Sequence, residues 1–268
     1  MKIIISHDID HLSALEHYND TIIPKLLVRS QIEFFKGIIS SKELFNRIND
    51  IFKNKWQNIK ELIDFNTSQN LNTTFFMGVN NGLGLAYPLS SSIEWINYIK
   101  SRNFEVGVHG INYTSLEEIT IEFDRFHSNV ENKSFGIRMH YLRINGQILE
   151  NLSKAGYLYD CSTSEMRSPY KINQMWEFPL QLMDVWVMNA NNRWQSRNLD
   201  QAKDYSKQII EKAVNANLKY FTVLFHDRYF SNSFKTWKDW YVWFIEWCKK
   251  NGFEFVNYRS AIRELEGK

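Results

Sequence analysis

The sequence predicts an α/β domain organised around a parallel β-sheet, and three observations support this fold class. Short apolar, β-branched segments alternate with longer segments whose apolar residues recur at helical spacing. About seven strand–helix units follow one another without an internal repeat, and such a succession forms a parallel sheet with right-handed crossovers. No Pro- or Gly-rich linker divides the 268 residues, which are enough to bury one full core. We therefore expect a single domain over residues 1–268, with the sheet either open or rolled into a barrel.

The chain begins with a strand, expected at residues 2–6, whose apolar run is too short to span a membrane. Two helices are expected next, at residues 24–39 and 42–65, because apolar side chains recur there at helical spacing. The two helices together form a helical insertion, at about residues 12–66, after the first strand.

The later elements continue the same alternation. Further strands are expected at residues 72–79, 104–108, 134–142, 157–160, 176–187, 219–226 and 253–257. Further helices are expected at residues 91–100, 114–129, 147–155, 199–216 and 234–250. Three of the helices are preceded or begun by a capping-box pattern, which pairs Ser40 with Glu43, Ser91 with Glu94, and Thr114 with Glu117.

Composition and charge exclude several classes of protein. The net charge is only +2 and the basic residues are dispersed among acidic ones, so we expect no nucleic-acid partner and no anionic membrane surface. Cys161 and Cys248 are too few for a disulfide framework and lack the spacing of a cysteine metal site. No export signal is recognisable at the start of the sequence, which predicts a cytoplasmic protein.

Aromatic residues make up 15% of the chain, which suits either a heavy core or a sugar-binding cleft. They are densest at residues 237–247, where Trp240, Trp243 and Trp247 share a helix that is apolar on nearly every face. A helix of this kind is normally buried or at an interface, so we favour a core or homo-oligomer contact over a sugar platform.

Two carboxylates follow the first strand. Asp8 and Asp10 alternate to the same side of the chain, where they repel each other unless a cation or a proton lies between them. His7 and His11 flank them, and a cluster of this composition after a buried strand predicts one half of a metal-hydrolase site. The alternative is an Asp-rich turn that caps the next helix.

Histidine and aspartate recur where later strands end. His109, Asp160 and His226 each follow or close a predicted strand. Open and closed parallel α/β sheets place their chemistry at the carboxyl ends of their strands. We therefore expect these side chains to meet the Asp8 and Asp10 pair at one edge of the sheet.

Five short motifs occur in a defined order along residues 1–230. They read Ser-His-Asp-Ile-Asp-His, Val-Gly-Val-His-Gly, Gly-Ile-Arg-Met-His-Tyr-Leu-Arg, Tyr-Asp-Cys-Ser and Val-Leu-Phe-His-Asp. In this order they resemble the motifs of the NodB-like polysaccharide deacetylases. The best match is a divergent branch associated with bacterial surface-polysaccharide genes, whose first motif reads His-Asp-x-Asp-His. The resemblance implies a single irregular (β/α)7 barrel.

The resemblance also implies roles for individual residues. Asp8 becomes the general base, and Asp10 and His109 become ligands of a divalent metal ion, with zinc expected. The family has a second histidine four residues after the first, where this sequence has Tyr113. A phenol is a poor zinc ligand, so a third ligand has to come from elsewhere, such as His11 or His140.

The third and fifth motifs supply the remaining roles. The resemblance places Arg138 beside Asp8, where the guanidinium holds the base ionised and oriented. His226 becomes the general acid, because an imidazole can donate a proton near neutral pH. Either Asp160 or Asp184 is expected to orient it. By strand alternation His140 faces the same side as Arg138, and it is treated with Arg143 as a cleft residue whose role is unassigned.

The implied activity is metal-assisted hydrolysis that removes an N-acetyl group from a carbohydrate in surface-polysaccharide biosynthesis. The implied partner is therefore an N-acetylated sugar. Two alternatives stay open. Related folds hydrolyse other C–N bonds, such as those of a ureide or a cyclic imide. A barrel that has lost its metal can also act as a non-catalytic sugar-binding protein.

Overall fold

The computed structural model describes residues 1–130 and 134–267 as ten strands and ten α-helices. The strands are β1 Lys2–Ile9, β2 Thr74–Met77, β3 Glu105–Gly110, β4 Ile137–Met139, β5 Tyr159–Asp160, β6 Tyr170–Ile172, β7 Met175–Glu177, β8 Leu182–Met183, β9 Tyr220–Leu224 and β10 Glu254–Phe255. The helices are α1 Ile22–Phe35, α2 Ser41–Phe52, α3 Ile59–Ser68, α4 Leu89–Ser101, α5 Leu116–His127, α6 Gly146–Ala155, α7 Asp184–Asn189, α8 Leu199–Asn215, α9 Lys235–Lys250 and α10 Tyr258–Leu265.

One sheet contains all ten strands. Its order is β6-β7-β5-β4-β3-β2-β1-β9-β8, and β10 pairs with the beginning of β1. Every pairing is parallel except that between β6 and β7. Within the described residues, no pairing joins the end strands β6 and β8, so the ring of strands is left open.

The sheet is strongly curled. Arg138 of β4 comes within 3.5 Å of Asp8 of β1, although β2 and β3 lie between these strands. On a flat sheet three strand spacings separate the two backbones by roughly 14 Å. The side chains meet because the sheet wraps around them, and the predicted α/β fold of barrel type is confirmed.

The single helix expected at residues 42–65 is wrong. The chain forms α2 and α3 instead, with a turn between them in which Asn54 has a φ of 54°. A residue in this left-handed region ends a helix, and Asn is among the few that adopt it readily. Trp56 in the same connection is buried, so its apolar character continued the helical pattern across the break. The capping box of Ser40 and Glu43 at the start of α2 is confirmed.

The long strand expected at residues 176–187 is also wrong. The chain forms β7, then β8, and then helix α7. Pro179 falls between the two strands, and proline has no N–H to donate to a strand ladder. The antiparallel strand β6 was not predicted from the sequence. It turns back into β7 at Asn173, whose φ of 53° permits a tight connection.

Two helix starts differ from their predicted positions. Helix α4 begins after Pro88, so Ser91 lies inside the helix and does not cap it. Helix α5 is capped by Ser115, whose hydroxyl accepts a hydrogen bond from the Glu118 amide, one residue later than expected. Helix α10 was not predicted, and the side chain of Asn257 caps it.

The aromatic helix α9 belongs to the core. Trp237 and Trp240 are fully buried, and their indole N–H groups donate to Gln195 and Ser206. A core contact, which was one of the two favoured interpretations, is therefore confirmed. No helix in the described parts of the chain has both the length and the apolar character that a membrane crossing requires.

Candidate active site

The candidate site lies where the central parallel strands end. Asp8 is the next-to-last residue of β1, and Asp10 follows that strand. His109 is in β3, His140 directly follows β4, and His226 lies two residues after β9. The sheet register aligns these strands, with His109 beside Arg138 on the neighbouring strand. Side chains that are far apart in sequence therefore meet at one edge of the sheet.

Asp10, His109 and His140 form a compact group of ligand atoms. His109 Nε2 lies 3.1 Å from Asp10 Oδ1 and 2.9 Å from His140 Nδ1. Asp10 Oδ1 is 3.4 Å from His140 Nδ1. Both imidazoles are buried, whereas the carboxylate is partly exposed. These are the described residues that could share one metal ion.

The partners of the outer ring nitrogens decide the chemistry of this group. His109 Nδ1 donates to the Arg138 carbonyl at 3.1 Å, and His140 Nε2 donates to the Leu83 carbonyl at 3.2 Å. With these tautomers, both inward nitrogens carry lone pairs that face each other and the Asp10 oxygen. Three such atoms repel unless a cation or a proton lies between them. Ligands of one tetrahedral zinc ion lie roughly 3.3 Å apart, so the donor set fits a divalent ion.

The shifts in the pKa values of Asp10 and His109 agree with this geometry. Burial raises the pKa of Asp10, but hydrogen bonds from His109 and His140 outweigh this effect and leave the pKa well below its usual value. Burial lowers the pKa of His109, and attraction by Asp8 and Asp10 more than compensates, so that this pKa is raised. A metal ion at this position would displace the proton that the group otherwise attracts.

Asp8 and Arg138 form a second layer below the metal-ligand group. Arg138 Nη1 is 3.5 Å from Asp8 Oδ1, and both side chains are buried. The guanidinium is fixed by hydrogen bonds to the Cys161 carbonyl at 3.1 Å and to the Tyr258 hydroxyl at 3.0 Å, and it lies 5.0 Å from the ring of Phe76. The predicted proximity of Arg138 to Asp8 is thus present, and the buried Asp8 carboxylate has one fixed cation beside it.

His226 stands on the opposite side of Asp10. Its Nδ1 lies 2.9 Å from Asp184 Oδ1, its backbone N–H donates to Asp184 Oδ2 at 2.7 Å, and its Nε2 is 3.7 Å from Asp10 Oδ2. Burial lowers the pKa of His226, but the charge of buried Asp184 and its hydrogen bond raise the pKa well above the usual value. Asp184, at the start of α7, is therefore the acidic residue that orients the His226 ring.

The expectation that Asp160 could orient His226 is wrong. Asp160 instead accepts a hydrogen bond from the Ser162 hydroxyl at 2.6 Å, in a fully buried cluster. That serine in turn accepts a hydrogen bond from the Met139 backbone, so Asp160 supports the end of β4. A strand-end position could not reveal this, because the side chain turns toward the sheet rather than the cleft.

Tyr113 and Arg143 pair with each other on the rim. Arg143 Nη1 donates to the Tyr113 hydroxyl at 3.2 Å, and the guanidinium lies 5.1 Å from the tyrosine ring. Neither belongs to the group of ligand atoms around Asp10. The position at which the family carries a second histidine therefore contributes no ligand atom to this group.

His11 lies beside the group without joining it. Its ring packs against those of His17 and Trp56, with centroids 4.5 and 5.4 Å away. Its buried Nδ1 has no hydrogen-bond partner within residues 1–130 and 134–267. It lines a small cavity with Asp10 and His226. Of the two residues considered as a third ligand, His140 reaches the group.

Arg228, which lies two residues after His226 and lines the same small cavity, was not predicted from the sequence. Its position directly after the Phe-His-Asp motif was the signal that could have identified it. The left-handed turn after β4, where Tyr141 and Leu142 have φ values of 58° and 51°, was not predicted either. Each such residue costs about 1–3 kcal/mol, and strain of this kind concentrates at functional sites. Here the turn directly follows His140.

Solved structures of low sequence identity share this fold. A candidate polysaccharide deacetylase from Mycobacterium smegmatis superposes with a TM-score of 0.64 at 14% identity, over 98% of this chain and 88% of its own. PuuE allantoinase gives a TM-score of 0.64 at 13% identity, over 100% and 90%. A candidate polysaccharide deacetylase from Pseudomonas aeruginosa PAO1 gives 0.60 at 13% identity, over 98% and 89%.

No family model and no curated protein matches the sequence. At these identities the likeness to solved structures establishes the fold and leaves the activity to be argued from the site. The chain has the fold of the polysaccharide deacetylases, as its five motifs predict.

Proposed function

We propose that the protein is a metal-dependent hydrolase that removes an N-acetyl group from a carbohydrate. The observation that carries this proposal is the meeting of two imidazole lone pairs and the Asp10 carboxylate, 2.9 to 3.4 Å apart, at the carboxyl edge of the sheet. Asp8 lies on one side of this group and His226 on the other. A base, a proton donor and a cation site around one point are the parts that amide hydrolysis needs.

Asp10, His109 and His140 would hold the divalent ion, for which zinc is expected because zinc favours nitrogen and oxygen donors in this number. When bound, the ion supplies a Lewis acid that polarises the amide carbonyl and makes a water molecule more acidic. The backbone carbonyls behind both histidines fix the orientation of the rings, so that Nε2 of His109 and Nδ1 of His140 point inward.

Asp8 is assigned the role of general base. Its carboxylate is buried, and Arg138 contacts Oδ1 while the second oxygen, Oδ2, lies 3.8 Å from His109 Nδ1. Because Arg138 is anchored by three further contacts, the base keeps one position through the reaction. Asp8 would take the proton of the attacking water.

His226 is assigned the role of general acid. Asp184 accepts the Nδ1 proton of His226, which leaves Nε2 pointing toward Asp10 and the cleft. The raised pKa favours the protonated imidazole that a general acid requires. It would donate its proton to the departing sugar amine as the C–N bond breaks.

Hydrolysis of a ureide or a cyclic imide is the second candidate function. The fold likeness to PuuE allantoinase is as strong as that to the deacetylases, with a TM-score of 0.64. The same base, acid and cation site could open such a C–N bond. Participation in surface-polysaccharide synthesis, a cytoplasmic location and homo-oligomer formation stay predictions.

The deciding experiment combines elemental analysis with a substrate screen. Purified protein, with and without added zinc, is tested for acetate release from acetamido sugars and for hydrolysis of allantoin and hydantoin. Near-stoichiometric metal with acetate release supports the proposal. Turnover of allantoin or hydantoin alone supports the second candidate.

An Asp8→Asn variant separates an enzyme from a binding protein. We expect it to keep its metal and its affinity for the sugar while turnover falls by about 10³-fold or more, because the general base is lost. Ligand binding by the wild type without turnover of any tested compound would contradict both candidate functions.

A further inference from the structure

Arg228 carries a charge that no carboxylate of the described residues contacts directly, although Asp10 attracts it from the same small cavity. Its guanidinium lies 4.1 Å from the ring of Trp56 and 5.7 Å from that of Phe234, and these two rings hold it in place. Within the described residues its side chain makes no ion pair, whereas nearby Arg29 pairs with Glu33 at 2.8 Å. Burial lowers the pKa of Arg228 to about 10, so the group remains charged at neutral pH.

The neighbouring acids have hydrogen-bond or ion-pair partners other than Arg228. Buried Glu33 is shared between Arg29 and Arg47. Asp50 accepts a hydrogen bond from the Ser233 hydroxyl, and Asp227 accepts one from the Asn58 amide at 2.9 Å. A cation that is held by aromatic rings and left without a carboxylate is available to an anionic ligand.

Arg228 lines three cavities, the smallest of which it shares with Asp50 and Trp56. It lines the small cavity that contains Asp10 and His226, and it also lines a much larger groove of about 790 Å³. Tyr229 lines both as well. A ligand that places one end beside Asp10 could therefore pass Arg228 and continue into the groove.

The groove combines positive charge with an apolar wall. It is lined by Lys25, Arg29, Arg193 and Arg228, and by no Asp or Glu of the described residues. Its wall includes Ile22, Leu26, Ile32 and Trp194 along and opposite helix α1. The whole chain carries a net charge of only +2, so these four cations, of which Arg29 is paired with buried Glu33, are a local concentration of positive charge that complements an anion attached to an apolar group.

We infer that the substrate is an acetamido sugar joined through a diphosphate to an apolar or aromatic group, with Arg228 binding the diphosphate and the groove along α1 binding the attached group. This inference rests on the proposed function and specifies its substrate class. Arginine suits this position because its planar fork binds phosphate oxygens in pairs. The attached group can be a prenyl chain or a nucleoside, and both present the same diphosphate to Arg228.

Binding, measured without turnover, tests the inference. Zinc-loaded Asp8→Asn protein is titrated calorimetrically with UDP-N-acetylglucosamine, with geranyl-diphospho-N-acetylglucosamine and with uncharged di-N-acetylchitobiose. We expect at least one diphosphate probe to bind about tenfold or more tightly than chitobiose, and to lose affinity as salt is raised. The tighter of the two diphosphate probes identifies the attached group as a prenyl chain or a nucleoside.

Arg228→Gln in the same Asp8→Asn background should lower the affinity for the diphosphate probe by about 30-fold, because a desolvated charge contact is lost. It should change the affinity for chitobiose by less than about threefold. Arg228→Lys keeps the charge without the fork and should weaken the diphosphate probe by roughly five- to tenfold. If the Gln variant does not fold, the Lys variant supplies the test. Arg102→Gln, which removes a surface cation paired with Asp64, is the matched control and should change neither affinity.

Two results would overturn the inference. One is equal affinity for charged and uncharged probes when Arg228 is intact, and the other is an equal loss of affinity for both kinds of probe in the Arg228 variants. Its failure is distinguishable from failure of the proposed function. Acetate release from chitobiose, with no effect of Arg228 on diphosphate binding, removes the inference alone. Diphosphate binding that depends on Arg228, in a protein that deacetylates nothing, supports the anion site and removes the proposed function.

Discussion

The two sides of Asp10 use histidine in different ways. On one side, His109 and His140 donate their outer N–H groups to backbone carbonyls. On the other side, His226 donates its outer N–H to the buried carboxylate of Asp184. All three imidazoles present their second nitrogen within 3.7 Å of the same Asp10 carboxylate.

In the proposed mechanism, the partner of the outer nitrogen therefore distinguishes a metal ligand from a proton donor. A neutral carbonyl fixes the ring and lets it remain an uncharged lone-pair donor. A carboxylate stabilises the imidazolium, which raises the pKa of His226 and suits it to release a proton in the reaction. The predictions below test this distinction.

Replacement of His140 tests the ligand side and should have the largest effect. His140→Ala removes one of three ligands, so we expect metal content to fall to less than about a tenth and acetate release to fall roughly 10⁴-fold. Elemental analysis and an acetate assay on the same preparation measure both. Retention of a full equivalent of metal by this variant would show that the group around Asp10 is assigned wrongly.

Replacement of Asp184 tests the acid side. Asp184→Asn should leave the metal content unchanged and lower kcat by about 10³-fold, because the imidazolium loses its counter-ion. A general acid acts only when protonated, so activity falls as pH rises through its pKa. Loss of Asp184 lowers the raised pKa of His226, and the alkaline limb of the pH profile should move to lower pH.

Asp160→Asn is the matched control for Asp184, since Asp160 is an equally buried aspartate that contacts Ser162 instead of His226. The alkaline limb of the pH profile of Asp160→Asn should lie at the same pH as that of the wild type. A shared shift in both variants would mean that general loss of buried charge, and not the Asp184 contact, sets the profile.

Glu122 extends the comparison to a buried acid that is held only by amides. Backbone N–H groups of Ile111 and Asn112 donate to it, and burial raises its pKa to about 7. The folded state thus keeps a proton that the unfolded state loses above about 4.5. The contribution to the free energy of unfolding is complete below that pH and is lost as pH rises through about 7, a change of about 3 kcal/mol.

Urea unfolding of the wild type and Glu122→Gln from pH 4.5 to 8 measures this contribution. The difference between the two free energies should fall by about 3 kcal/mol with rising pH, since glutamine does not titrate. A difference that is constant across this range would mean that Glu122 ionises normally in spite of its burial.

Replacement of Tyr113 should have the smallest effect. Tyr113→Phe removes an exposed hydrogen bond to Arg143 and no ligand atom, so metal content should not change and activity should stay within about twofold. A large loss of metal would contradict the assignment of His140 as the third ligand and would indicate that Tyr113, on the rim, takes part in metal binding.

Local sequence patterns identified much of the fold and part of the site. Alternating strand and helix patterns predict the parallel sheet, and strand alternation explains the two layers, in which Asp8 and Arg138 lie below Asp10 and His140. The patterns failed where a break in the backbone interrupts an apolar run. The turn at Asn54 and Pro179 between β7 and β8 are examples, because buried side chains there continue the periodicity.

The sequence by itself determined the fold class, the strand ends that carry chemistry, and the closeness of Asp8 to Arg138 that the motif order implied. Only the tertiary structure decided that His140 joins Asp10 and His109, that Asp184 and not Asp160 supports His226, and that Arg228 lines both the small cavity and the groove. The physical reason is that these partners lie on different strands. Their distances depend on the register and curl of the whole sheet, which no local run of residues encodes.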